Sequence, residues 1–138
     1  MTAITNQTVQ ERASYDMGVA VQDVSTADVT GEYVDMQGFG RVAAVAVTDE
    51  LAADDAVSIQ LIQATAADGT GAKNLGDAVS VTGTAGDAAQ LFAEAHVNDL
   101  DTANDFRYVA VQISATPDGG TTVNAGASML RADGSYRP

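Results

Sequence analysis

The chain has no cysteine and no tryptophan, two prolines, one histidine and only 6 Lys+Arg in 138 residues. Each shortage removes a class of answers. Without cysteine there is no disulfide framework, no thiol nucleophile and no thiolate zinc site, and the redox compartment is left open. The few cations stand against 19 Asp+Glu, for a formal net charge of −13. A nucleic-acid partner is therefore not expected, because phosphate binding needs clustered Lys and Arg. An anionic membrane surface is disfavoured for the same reason. No apolar run approaches the roughly 20 residues that span a bilayer as a helix, and Met1–Gln7 has neither a basic start nor an apolar stretch of the secretory kind. Aromatic residues make up 5% of the chain, which supplies little for stacking sugars or bases.

What is present is β pattern. In Phe106–Ala115, Val109, Val111 and Ile113 share one side of an extended chain while Phe106, Tyr108, Ala110 and Gln112 share the other, as alternation in a strand requires. This segment reads as a central strand, stopped by Thr116-Pro117-Asp118-Gly119-Gly120. Ala56–Thr65 gives the cleanest period of two, through Val57, Ile59 and Leu61. Phe39–Thr48 is apolar on both faces after Arg41, a pattern expected of a strand interior to a sheet or covered on both sides, with alanines for close packing. Tyr15–Gln22 predicts a short strand with Met17, Val19 and Val21 on one face. Asp77–Thr82 predicts another through Val79 and Val81, and Thr121–Leu130 a last one with Val123, Ala125, Ala127 and Met129 inward. Val24–Val34, interrupted by Gly31, reads as a short strand or an irregular crossing. Ala88–Val97 is contested. Its Ala, Gln, Leu and Glu content favours a helix capped by Asp87, whereas alternation places Leu91, Ala93, Ala95 and Val97 on one face of a strand. The all-β surroundings tip the reading to strand.

The expectation is an all-β, single-domain antiparallel sandwich or flattened barrel of about seven or eight strands over residues 15–138. Residues 1–14, polar apart from Ile4 and Val9, form an extended N-terminal arm.

Chemistry is hard to find. His96 has no second ligand at a suggestive spacing, so neither a histidine metal site nor a Ser-His-Asp arrangement is supported. Asp99, Asp101 and Asp105 invite a calcium reading, but the EF-hand pattern fails because Ala103, Asn104 and Ala110 occupy its key positions. A solvated turn is the better reading, and Asp49, Glu50, Asp54 and Asp55 read the same way. Gly69-Thr70-Gly71-Ala72-Lys73 lacks Walker spacing and reads as a hairpin connection. No catalytic residue, metal or cofactor is expected, and an enzyme is the least supported class.

Several stretches carry a resemblance: Val34-Asp35-Met36-Gln37-Gly38-Phe39-Gly40-Arg41-Val42, then Ile62-Gln63-Ala64-Thr65 leading to Asp68–Lys73, Asp99-Leu100-Asp101 before Phe106–Val111, and the ending from Arg131 to Pro138. In layout the chain resembles head decoration, or cement, proteins of tailed bacteriophages and prophages. That resemblance implies a virion protein made in the host cytoplasm that binds the exterior of an assembled capsid, bridges its subunits with the major capsid protein as partner, and often forms homo-oligomers, a trimer among them. The family offers no catalytic residues to transfer. Contacts would fall, by elimination, in the arm (Ile4, Val9, Arg12) and the tail (Arg131, Tyr136, Arg137). Two other readings stay open: a tail-tube, tail-completion or fibre-associated protein of a similar particle, and a stand-alone β module for calcium or carbohydrate.

Overall fold

A computed structural model describes residues 13–132. Among them nine strands form two antiparallel sheets packed face to face, a β-sandwich. One sheet has the order β1 (Ala13–Asp23), β9 (Asn124–Ala132), β4 (Arg41–Leu51), β7 (Asp87–His96). The other has the order β2 (Val29–Thr30), β8 (Tyr108–Thr116), β5 (Ala56–Ala64), β6 (Lys73–Thr82), with β3 (Val34–Asp35) also paired to β8. Both sheets keep open edges, so the flattened-barrel alternative does not hold. The strand count exceeds the expected seven or eight because the Val24–Val34 stretch contributes two-residue ladders on either side of Glu32.

The core follows the alternation. Val57, Ile59 and Leu61 of β5 and Val109, Val111 and Ile113 of β8 are buried against Val42, Ala44 and Ala46 of β4, Leu91, Ala93 and Ala95 of β7, and Ala125, Ala127 and Met129 of β9. The contested segment is a strand: Asp87–His96 pairs with β4 from Leu51 to Arg41. Burial of every second residue stabilises the extended form, and intrinsic helix propensity is too weak a preference to oppose it. The alanines of β4 let the interior of this sheet lie close to its partner, as expected.

Boundaries and faces differ from expectation in several places, among them the last strand, which runs Asn124–Ala132 rather than Thr121–Leu130, and β4, which runs on to Leu51. β1 takes in Ala13 and Ser14, which the sequence assigns to the arm; residues 1–12 lie outside the described residues. Two register shifts, at Met17/Val19 and Val19/Gln22, break the alternation of β1. Only Val19 of the expected trio points inward, while Met17 and Val21 are 72% and 76% exposed. A bulge adds a residue on one strand only and so moves later side chains to the opposite face. β6 begins at Lys73 rather than Asp77, because a bulge between the Ile59–Val79 and Leu61–Leu75 pairs lets the ladder continue through the glycine-rich stretch. Gly76, at φ 71°, makes that bulge possible, and the amide of Gln60 donates to the carbonyls of Leu75 and Gly76 at 3.2 and 3.1 Å. Finally, Phe106 precedes β8 and is buried beneath Lys73, whose Nζ lies 4.3 Å from the ring centroid.

Arg131 ties the two sheets at one end of the sandwich. Its Nε and Nη2 donate to Asp16 (3.1 and 3.4 Å), Nη2 also donates to Ser14 Oγ (3.1 Å), and Nη1 donates to the Asp35 carbonyl oxygen on the opposite sheet (2.7 Å). The guanidinium also lies 4.7 Å from the Phe39 ring centroid. Arg131→Met keeps much of the stem and removes every donor. Thermal or urea unfolding of this variant is expected to show a loss of about 2 kcal/mol, moderate because Asp16 keeps partial access to water. A change under 0.5 kcal/mol would show that the tie is incidental.

Candidate docking face

The acidic turn between β7 and β8 folds as two short 3-10 turns, Val97–Asp99 and Thr102–Asn104. Its aspartates turn to different partners. Asp99 Oδ2 accepts from the His96 backbone N–H (2.9 Å), while His96 Nδ1 accepts from the Asn98 N–H (3.1 Å), so the lone histidine closes a turn. Asp101 accepts from Lys73 Nζ at 2.6 Å and from Asn104 Nδ2, which together hold its carboxyl below the usual aspartate range. Asp105 ends the second turn in the left-handed conformation, φ 65°. Among the described residues no three acidic or histidine side chains converge as a metal site would need.

Asp55 has a part that its sequence context does not announce. Only 1% exposed, it accepts from the Asp118 N–H (2.8 Å), Thr121 Oγ1 (2.7 Å) and the Ala52 N–H (3.0 Å). The Asp118 N–H, then the Thr121 hydroxyl, hold its carboxyl below the usual range, against the opposing effect of burial. The carboxylate joins the β4–β5 and β8–β9 loops, and the backbone carbonyl oxygen of Asp55, accepting from Gly83 N–H, adds the β6–β7 loop at the same end of the sandwich. Its neighbour Asp49 does similar work in the open, accepting from the backbone and side-chain amides of Asn124.

Of the residues singled out for contacts, Ile4, Val9, Arg12, Tyr136 and Arg137 lie outside the described residues. Arg131 lies within them, its side chain 16% exposed and engaged in the tie between sheets.

The surface feature that sequence reading passed over is the outer face of the four-stranded sheet. The registers line up three cross-strand rows there: Tyr15, Leu130, Ala43, Glu94; Met17, Ser128, Val45, Phe92; and Val47 with Gly126 and Gln90, Val21 lying over Gly126. Phe92 is 54% exposed, and Tyr15, Met17, Val21 and Val47 are exposed as well. Of these twelve positions Glu94 alone is charged, in a chain whose net charge is −13. At about 4.8 Å between strands and 3.4 Å per residue, the rows cover roughly 400 Å². The largest apolar patch on a soluble monomer is commonly about 300–600 Å² and is often functional. The signal for it was present in Phe39–Thr48, apolar on both faces, and in Phe92 alternating with Gln90 and Glu94. What hid it was the pair of bulges in β1.

No protein-family model matches the sequence, and no curated protein matches it. Solved structures do share the fold. A chain of infectious bursal disease virus, Gx strain, aligns with 11% identity and a TM-score of 0.58 over 92% of this chain and 33% of that one. The VP2 subviral particle of infectious bursal disease virus aligns with 11% identity and a TM-score of 0.52 over 90% and 33%. A chain of the T13 particle of the same virus aligns with 12% identity and a TM-score of 0.52 over 92% and 32%. This chain thus spans about a third of the length of those viral chains, and at such identities the likeness is one of fold.

Proposed function

We propose that this protein is a structural component of a virion that decorates the exterior of an assembled phage capsid and strengthens it by bridging capsid subunits. The observation that carries the reading is the charge-depleted apolar face of the β1-β9-β4-β7 sheet on an otherwise acidic surface, which suits docking onto another protein. The resemblance of the sequence to decoration proteins supports it. The fold, shared with a segment of viral capsid chains, is compatible with it. A face of roughly 400 Å² is half the area one partner contributes to a standard stable interface. A single contact would be weak, and repetition over a shell compensates through multivalency. An acidic protein is also better placed outside the shell than facing packaged nucleic acid.

The direct test is co-sedimentation of the purified protein with expanded, decoration-free heads of the cognate phage and, in parallel, with unexpanded procapsids. Saturable binding to expanded heads, at a fixed ratio to the capsid subunit, is the expected result. Absence of binding to either particle at micromolar protein would overturn it, and spontaneous assembly into rings or tubes would transfer the protein to the tail.

A further inference from the structure

Resting on that reading, we infer that the partner of the β1-β9-β4-β7 face is an apolar protein surface with basic residues along one border, and that it is not a second copy of this chain. The centre of the face is apolar, but its two ends differ. Where β1 and β4 end, Asp23, Asp49 and Glu50 are all exposed. At the opposite end the outermost positions are Ala13, Ala132, Arg41 and His96. Arg41 is the one Lys or Arg at the outer positions of this sheet among the described residues. Two copies meeting face to face would set six such acids against two arginines in any orientation, on top of the mutual repulsion of two chains of charge −13. Charge at an interface border acts chiefly by steering encounter and excluding wrong partners, so this border disfavours the copy and selects a basic one.

Two variants separate the parts of this inference without touching the core. Phe92→Asp changes an exposed side chain at the centre, and Glu50→Lys with Asp23→Lys reverses the acidic border. In co-sedimentation with expanded heads, Phe92→Asp is expected to weaken binding at least about 10-fold, as loss of a central aromatic anchor does. The double lysine variant is expected to bind less well at low salt and to lose the salt sensitivity of the wild type. Wild-type binding that neither variant alters would overturn the inference while leaving the capsid reading intact. If the wild type does not bind heads, the capsid reading falls. The face is then probed by amide chemical-shift mapping with a synthetic peptide of alternating valine and lysine. Shifts centred on Met17, Val45 and Phe92 would support it, and shifts elsewhere or none would overturn it. Sedimentation equilibrium completes the set, since a dimer abolished by Phe92→Asp would assign the face to a second copy and overturn the choice of partner.

Discussion

Asp55→Ala is expected to lower the melting temperature by about 10 °C or more, a large shift for a domain of this size. The cause is what the substitution leaves behind. The N–H groups of Ala52 and Asp118 and the Thr121 hydroxyl now converge on the carboxylate, and alanine would leave these part-buried donors unmatched. Asp55 also holds the turn through its backbone, whose carbonyl oxygen accepts from Gly83 N–H at 2.6 Å. Asp55→Asn should fall between the two, because its amide N–H2 meets the Ala52 N–H or the Asp118 N–H as donor against donor. The pH dependence has a definite sign. The folded-state pKa of Asp55 lies below its unfolded value, so its contribution is fully present above the ordinary aspartate range near pH 4 and is lost as pH falls through the lower folded value. General protonation of an acidic chain also relieves repulsion, so the informative quantity is the difference in melting temperature between wild type and Asp55→Asn. That difference should be constant from pH 7 to about pH 5 and shrink below pH 4. A difference independent of pH down to 2 would show that the carboxylate charge is not what holds the loops.

Gly31→Ala is expected to cost about 3 kcal/mol or more, or to prevent folding. A Cβ at this position would lie 2.0 Å from the carbonyl oxygen of Gly18. That neighbour is backbone of β1, at the bulge between the Met17–Ser128 and Val19–Ala127 pairs, and has no rotamer through which to withdraw. Gly31 itself is fixed on the other side by its N–H, which donates to the Val111 carbonyl oxygen at 3.0 Å. Gly31 therefore marks where the crossing between β2 and β3 presses onto β1, whereas Gly18 lacks a side chain for a different reason, since a Cβ there would lie 2.8 Å from Val111 Cγ1. Gly76→Ala is the control. It meets no atom within 4 Å and suffers only its φ of 71°, so a loss of about 1–2 kcal/mol is expected. Urea unfolding of the two variants side by side decides the matter. Equal losses would mean that the β1 crossing yields more readily than its packing implies.

Much of the fold was legible because period-two burial is a local property of sequence. Val57-Ile59-Leu61 and Val109-Val111-Ile113 declare strands wherever in the sheet they end up, and even Ala88–Val97 could be read correctly by alternation. The docking face was only half legible. Phe39–Thr48 announced a strand interior to a sheet or covered on both sides, and the first of these holds, but Met17 and Val21 were read as sharing one face with Val19. Nothing within Tyr15–Gln22 specifies where two extra residues bulge, since that depends on the register β1 adopts against β9 and on the space Gly18 and Gly126 leave.

By itself, then, the sequence determined the class of architecture, the acidic surface and the lack of cysteine chemistry. These follow from residue type and spacing alone. Only the tertiary structure decided which apolar residues stay outside, that Asp55 joins three loops while its acidic neighbours remain solvated, and that Arg131 ties the sheets together. Those outcomes rest on hydrogen bonds and contacts between residues 60 to 120 positions apart, whose geometry exists only once both sheets have closed on their common core.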